Sequence, residues 1–257
     1  MNAWKRLQQV FFSSAGNSLE SINEACFWQA DMHSHLLPGV DDGVHDSSQA
    51  LACLQQLSDW GLKRIITTPH VSRDWYPNDT ATLRAGQIDL QTLADANNLP
   101  IRVDVAAEYM IDEFFPRLLD TDDLLSFGAE RYLLIETGWA APPQQFEAIL
   151  FRIQTRGYVP VLAHPERYTY YHGDEEALSR LHDAGCLFQL NWLSLVGRYG
   201  EKVRTQARLL LKNNWVDFIG SDLHRPNDLS ALGSLFTLPD YTLLRSQPLR
   251  NISLLNE

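Results

Sequence analysis

Seven short apolar runs, alternating with stretches of helical character, set the strongest limit on what this chain can fold into. They are 29–33, 63–68 (KRIITT), 101–107 (IRVDVAA), 132–136 (YLLIE), 159–163 (VPVLA), 186–191 (CLFQLN) and 216–220 (VDFIG). Most are rich in β-branched or aromatic residues, as parallel strands buried on both faces are. Between them, 47–60 places Ala50, Leu51, Leu54, Leu57 and Trp60 at helical spacing, with Asp46 or Ser47 as N-cap and Gly61 as stop. The stretch 143–156 begins with proline, carries Phe146, Ile149, Leu150 and Ile153, and ends at Gly157. Stretches 174–184 and 201–213 repeat the pattern, and the more polar 73–98 reads as one helix after a loop.

Strands alternating with helices predict an α/β fold with a parallel sheet. No glycine-rich phosphate loop follows the first run, which favours a closed or nearly closed barrel over an open sheet. No repeat, low-complexity tract or linker divides the 257 residues, so one domain is expected over 29–257. Residues 1–28 read as an N-terminal extension that packs as a short helix or stays mobile, with no assigned role.

The net charge of −11 argues against a nucleic-acid groove, which needs a basic patch. Such an acidic balance serves solubility and also suits carboxylates kept for divalent cations. Cys26, Cys53 and Cys186 are an odd, scattered set, which fits free thiols in a reducing cytoplasm. None begins a Cys-x5-Arg loop, since Met32, Asp59 and Trp192 stand six residues on, so thiolate-based phosphate-ester hydrolysis is missing. No stretch approaches the roughly 18 apolar residues that span a bilayer, and LQQVFF after Lys5-Arg6 is too short for a signal peptide. No membrane insertion is expected.

In such a barrel chemistry sits at the C-terminal ends of the strands. The first run ends in His33 and His35, which share one side of an extended strand, with Asp41 and Asp42 in the next turn. The second ends in Thr68-Pro69-His70, the third runs into Glu108, the fourth ends in Glu136 and the fifth in His164. The sixth offers Asn191, and the seventh ends in Ser221-Asp222-Leu223-His224. Alone, each has a bland reading as a capped core histidine or a paired carboxylate. Together they put five of the eight histidines on one rim.

Imidazole with carboxylate suits zinc, manganese, iron or cobalt, and the lack of cysteine ligands argues against a structural zinc site. Five histidines and four carboxylates are too many for one ion, so two or three divalent ions are expected. Clustered ions lower the pKa of bound water to about 7 and stabilise the oxygens of phosphoryl transfer. Arg167, three residues past His164, suits bidentate phosphate contact, or else a salt bridge to Glu166 or a neighbouring acid.

DMHSHLLPGVDDG, TTPH, AAEY, LIET, AHPERY and SDLH together resemble the PHP (polymerase and histidinol phosphatase) superfamily. Within it, the chain is similar over about 29–228 to the bacterial manganese-dependent protein tyrosine phosphatases of capsule and exopolysaccharide systems. The resemblance implies a distorted (β/α)7 barrel with three metals. His33, His35, Glu108 and Asp222 would hold one, and Glu108 would bridge to a second completed by Glu136 and His164. Asp42, His70 and His224 would hold the third, with Asp42 preferred over Asp41. A metal-bridging hydroxide would be the nucleophile, and Arg167 would bind the substrate phosphate. Relatives often carry a second arginine a few residues beyond the DxH motif. Here Arg225 directly follows His224, and Arg225, Arg73 or Arg198 is the candidate substitute.

Tyr168 and Arg73 join Arg167 as substrate-binding candidates. Trp75, Tyr76, Trp139, Tyr170 and Tyr171 either line a pocket for a phenyl ring or pack ordinary loops. His45, His172 and His182 fall outside the ligand pattern, with His172 a candidate for the substrate mouth. The expected activity is hydrolysis of phosphotyrosine in a protein tail, such as that of a tyrosine autokinase of polysaccharide export. A small-molecule phosphatase of the histidinol-phosphate type and a non-enzymatic module are the alternatives.

Overall fold

The computed structural model describes residues 25–256, so most of the expected N-terminal extension lies outside the described residues. Its last part packs: Cys26 and Trp28 are buried, and Trp28 meets Trp192 edge-on at 5.0 Å.

All the paired strands run parallel, in two hydrogen-bonded sheets. One holds β1 (Ala30–Asp31), β2 (Arg64–Thr67) and β4 (Arg102–Val105). The other runs through β3 (His70–Val71), β5 (Glu108–Met110), β6 (Tyr132–Glu136), β7 (Val159–Ala163), β8 (Leu187–Asn191) and β9 (Phe218–Gly220). The second and third apolar runs thus continue past their expected ends, as β3 and β5. Thr68-Pro69 and Ala106-Ala107 interrupt them, but Ala106 N still donates to Thr67 O and Glu108 N to Pro69 O. Pro69 has no N–H to give to a ladder, which explains the break there.

Helices follow the predicted pattern. Asp46 caps α1 (Ser47–Asp59) by accepting from Ser48 N and Gln49 N. Asp79 caps α2 (Thr80–Ala96), so the expected 73–98 helix starts late. After the short α3 (Phe115–Leu119) come α4 (Phe146–Thr155), α5 (Glu175–Asp183), α6 (Trp192–Leu195) and α7 (Glu201–Lys212). The chain closes with α8 (Leu229–Ser234), α9 (Pro239–Arg245) and a 3-10 turn at Asn251–Asn256.

Two apolar clusters show how the sheet curls. Helix faces pack on one side of the strands around Leu54, Leu57, Leu150, Leu178 and Leu210. On the other side Met32, Ile66, Ala106, Leu134, Val161 and Phe218, from six strand runs, meet one another and Leu254. Strand residues so widely spaced in sequence can share one small cluster only if the sheet bends around it. The fold is therefore a single α/β domain with a curled parallel sheet. Asn251 seals one end, donating to Ala30 O and Ile219 O while accepting from Ile219 N.

Candidate metal centre and active site

Past β1 the chain stays extended through His33-Ser34-His35 and pairs with the run after β9: Asp222 N donates to His33 O and His35 N to Leu223 O. Two glycines make room. A Cβ on Gly220 would lie 2.6 Å from His33 Cβ, and one on Gly43 would lie 2.3 Å from His35 O. His164 (φ 36°) and Asp222 (φ 50°) take left-handed backbone conformations, which non-glycine residues rarely adopt outside functional or tightly constrained positions.

Nε2 of His33, Nε2 of His35, Oε2 of Glu108 and Oδ1 of Asp222 converge. Five of their mutual separations fall between 3.2 and 3.4 Å. Four ligands about 2.0–2.1 Å from a tetrahedral ion stand ~3.3 Å apart, so this cage has the size of a metal. Both imidazoles are oriented from behind. His33 Nδ1 donates to Gln189 Oε1 (2.8 Å) and His35 Nδ1 to Asp41 Oδ2 (2.7 Å), leaving the Nε2 lone pairs inward.

A second group joins Glu108, Glu136 and His70, with His70 Nδ1 2.8 Å from Glu136 Oε1 and 3.2 Å from Glu108 Oε2. A third joins His35, Asp42, His70 and His224, whose His70 and His224 Nε2 atoms each lie 3.5 Å from Asp42 Oδ1. A neutral imidazole has one lone pair for a metal, so His70 can serve only one of these positions at a time. His164 falls with His33 and Asp222, and its Nε2 lies 3.0 Å from Glu108 Oε1. The implied second site has Glu136 and His164 completing it with Glu108; here His70 joins Glu108 and Glu136, with β3 and β5 placing His70 opposite Glu108.

Charge is distributed to match. Burial opposes ionisation of Glu108, but His33 and His70 outweigh it and hold its carboxyl well below the usual range. Asp222, despite burial, is held low by His33 and His224. Burial and the Glu108 charge push Glu136 up. Burial and the Arg167 charge bring His164 down to about 4, which keeps it neutral, as a ligand must be. Buried His164 Nδ1 has no hydrogen-bond partner among the described residues, whereas His70 Nδ1 lies against Glu136 Oε1. The tetrahedral spacing, the inward lone pairs and the orphaned His164 nitrogen all fit divalent ions.

Arg167, in the 3-10 turn after β7, reaches Asp222 Oδ2 at 2.8 Å, and Asn191 Nδ2 donates to the same oxygen at 2.6 Å. The salt-bridge reading of Arg167 therefore holds, with Asp222 rather than Glu166 as partner. Its guanidinium lies 4.8 Å over Trp139 and 4.2 Å over Tyr199. Trp139, half-exposed, also stacks on His164 (5.8 Å, 15°), and Tyr76 stacks on His70 (5.4 Å, 16°).

The family described as capsular polysaccharide synthesis, CpsB/CapC, matches residues 29–230. The chain belongs to the CpsB/CapC family. It is 30% identical over 194 residues to the tyrosine-protein phosphatase YwqE of Bacillus subtilis strain 168, covering 76% of each chain. It is 27% identical over 201 residues to the tyrosine-protein phosphatase CpsB of Streptococcus pneumoniae, covering 76% of this chain and 82% of that one. A solved chain from the crystal structures of YwqE and CpsB, described as metal-dependent tyrosine phosphatases, superposes with a TM-score of 0.72. That match is 27% identical and spans 86% of this chain and 96% of that one.

In this CpsB/CapC chain, the nine residues expected as ligands fall in four overlapping groups that could hold a metal ion. Tyr168 is a correction. It is wholly buried between two 3-10 turns, Pro165–Arg167 and Thr169–Tyr171, and its hydroxyl accepts from Thr137 N. Tyr171 is buried, and Tyr170 bonds Thr137 Oγ1. Of the aromatic candidates, Trp75 and Trp139 are exposed and Tyr76 is half-buried. His172 donates to Glu166 O, and Arg198 pairs with Asp228. Arg225 is exposed, and Arg73 lies over Phe114 at 4.0 Å. Sequence reasoning missed Gln189, which accepts from both His33 Nδ1 and His164 N. A polar residue inside an otherwise apolar strand run was its only signal.

Proposed function

We propose that the chain is a metal-dependent phosphomonoesterase that hydrolyses phosphotyrosine in proteins, within capsule or exopolysaccharide control. The cage of His33, His35, Glu108 and Asp222, with its metal-sized spacing, carries the reading. The names of the relatives supply the substrate class. Pairing of Ser34 with Leu223 supports a distorted (β/α)7 barrel of the PHP type.

Two or three divalent ions, manganese first, would be held by the cage, by Glu108 and Glu136 with His70 or His164, and by Asp42, His224 and His70. When bound, such ions supply water of lowered pKa and neutralise phosphate charge. The chain's own groups do the rest. Gln189 and Asp41 fix the imidazole tautomers. Arg167, clamped between Trp139 and Tyr199, can exchange its Asp222 contact for a phosphate oxygen. Arg225, on the open rim after His224, is the proposed second phosphate contact. Trp139 and Tyr76 offer flat faces for the phenyl ring of an aryl phosphate.

A tyrosine autokinase of polysaccharide export is the proposed protein partner, and the reducing cytoplasm the proposed compartment, supported by three buried free cysteines. The deciding experiment compares kcat/KM on a phosphotyrosyl peptide and on histidinol phosphate, with manganese and after thiol alkylation. The reading predicts that the peptide is preferred and that alkylation leaves turnover intact. Preference for histidinol phosphate would move the chain to the small-molecule class. No turnover with manganese, iron, cobalt or zinc would overturn the enzymatic reading.

A further inference from the structure

Beside the metal cluster lies a cleft of about 350 Å³, walled in part by Val71, Arg73, Met110, Asp112, Phe114 and Arg117. It begins where the cluster stops. Val71 follows His70, Met110 lies two residues past Glu108, and β3 pairs with β5 so that His70 stands opposite Glu108. At about 3.3 Å per strand residue, the cleft opens within ~7 Å of the cluster backbone.

Its chemistry is cationic over an aromatic floor. The Arg73 guanidinium rests 4.0 Å above the Phe114 ring, a contact that pre-orients the planar fork. Arg73 and Arg117 are exposed, and neither holds a carboxylate among the described residues, whereas Arg152, Arg156, Arg180 and Arg250 each do. Asp112 adds one negative charge, but its Oδ1 is engaged by the N–H groups of Phe114 and Phe115. In a chain with a net charge of −11, two free arginines sharing one concave wall next to a phosphatase-like cluster form a local anion site.

We propose that this cleft is a subsite for an acidic or phosphorylated side chain flanking the target phosphotyrosine in a polypeptide substrate, gripped by Arg73 and Arg117. The proposal rests on the phosphotyrosine reading and adds sequence selectivity to it. An extended peptide advances about 3.3–3.6 Å per residue, so a side chain two to four positions from the phosphotyrosine spans the gap. Arg73 then reads the flank of the substrate rather than the reacting phosphate.

The test uses the full chain loaded with manganese and two phosphotyrosyl peptides that differ only in Glu or Gln two to four residues either side of the phosphotyrosine. The Glu peptide should have the higher kcat/KM, by about fivefold, the effect of one partly exposed ion pair near 1 kcal/mol. The difference should lie in KM. Arg117→Ala should erase it, Arg117→Glu should invert it and Arg117→Lys should keep most of it. Turnover of p-nitrophenyl phosphate, which has no flank, should stay unchanged in all three. Equal handling of the two peptides by the parent chain, or a preference that survives Arg117→Glu, would overturn the subsite. If no phosphate ester is turned over, the phosphotyrosine reading fails by itself. Fluorescence anisotropy with the same labelled peptides then decides the subsite, equal affinities counting against it.

Discussion

His35 illustrates how much work a single side chain does in this site. Its Nε2 faces the cage, its Nδ1 is held by Asp41, and its ring stacks on His224 at 3.9 Å. Replacing it, or Asp222, with alanine should remove metal and turnover together, as elemental analysis beside a phosphatase assay would show. Arg167→Ala should behave differently. Asn191 still holds Asp222 Oδ2, so metal should stay while kcat/KM falls about 10²–10³-fold, the usual cost of losing one aligned charge stabiliser. Unchanged turnover in that variant would remove Arg167 from phosphate binding. Protonation gives a second handle. Burial works against the His70 imidazolium, but Glu108 and Glu136 raise it to about 9, and His35 is also raised by Asp41. Below pH 9 a divalent ion must therefore displace protons. Manganese titrated into stripped protein in weak buffer at pH 7.5 should release protons, and its apparent affinity should rise with pH and level off above about 9. Proton-neutral binding would mean that the histidines are not the ligands.

At the scale of elements, strand ends matter more than strands. The seven apolar runs were readable because buried parallel strands show as continuous hydrophobic stretches, and the candidate ligands were readable because they recur at the ends of those stretches. The continuations β3 and β5 were not legible. Each is two or three residues long and follows a break, and their polar content resembles a loop. The inward direction of Tyr168 was hidden for a related reason, since it sits between two three-residue 3-10 turns, which have too little periodicity to reveal which way a side chain faces. Nor could spacing show that His70 borders two ligand groups, because that depends on register between β3 and β5. β9 offers a prediction at this scale. Gly220→Ala would drive a methyl group into His33 Cβ and to within 2.9 Å of Gln189 Nε2. Both belong to the proposed metal support, so stability should fall by about 1–3 kcal/mol and manganese affinity should drop with it, in thermal melts with and without metal. A variant that melts and binds manganese like the parent would show that the β9–His33 approach is not tight.

For the molecule as a whole, the curled sheet explains how candidate ligands from residues 33 to 224 reach one place. Parallel strands around one apolar cluster deliver their C-terminal ends to a common rim, and Asn251 closes the other end. The acidic balance fits a fold that gathers carboxylates for cations. Its surface interrupts that balance at the Arg73–Arg117 cleft, where an anionic substrate segment would be welcome. All of this depends on the cluster being a metal-dependent phosphotyrosine site. The most direct measurement strips the protein with a chelator, titrates manganese back and follows bound metal and phosphotyrosyl-peptide turnover in the same sample. The proposed function predicts two or three ions per chain, with turnover absent from the stripped protein and restored as they bind. Full turnover in the stripped protein, or manganese bound without any turnover, would contradict it.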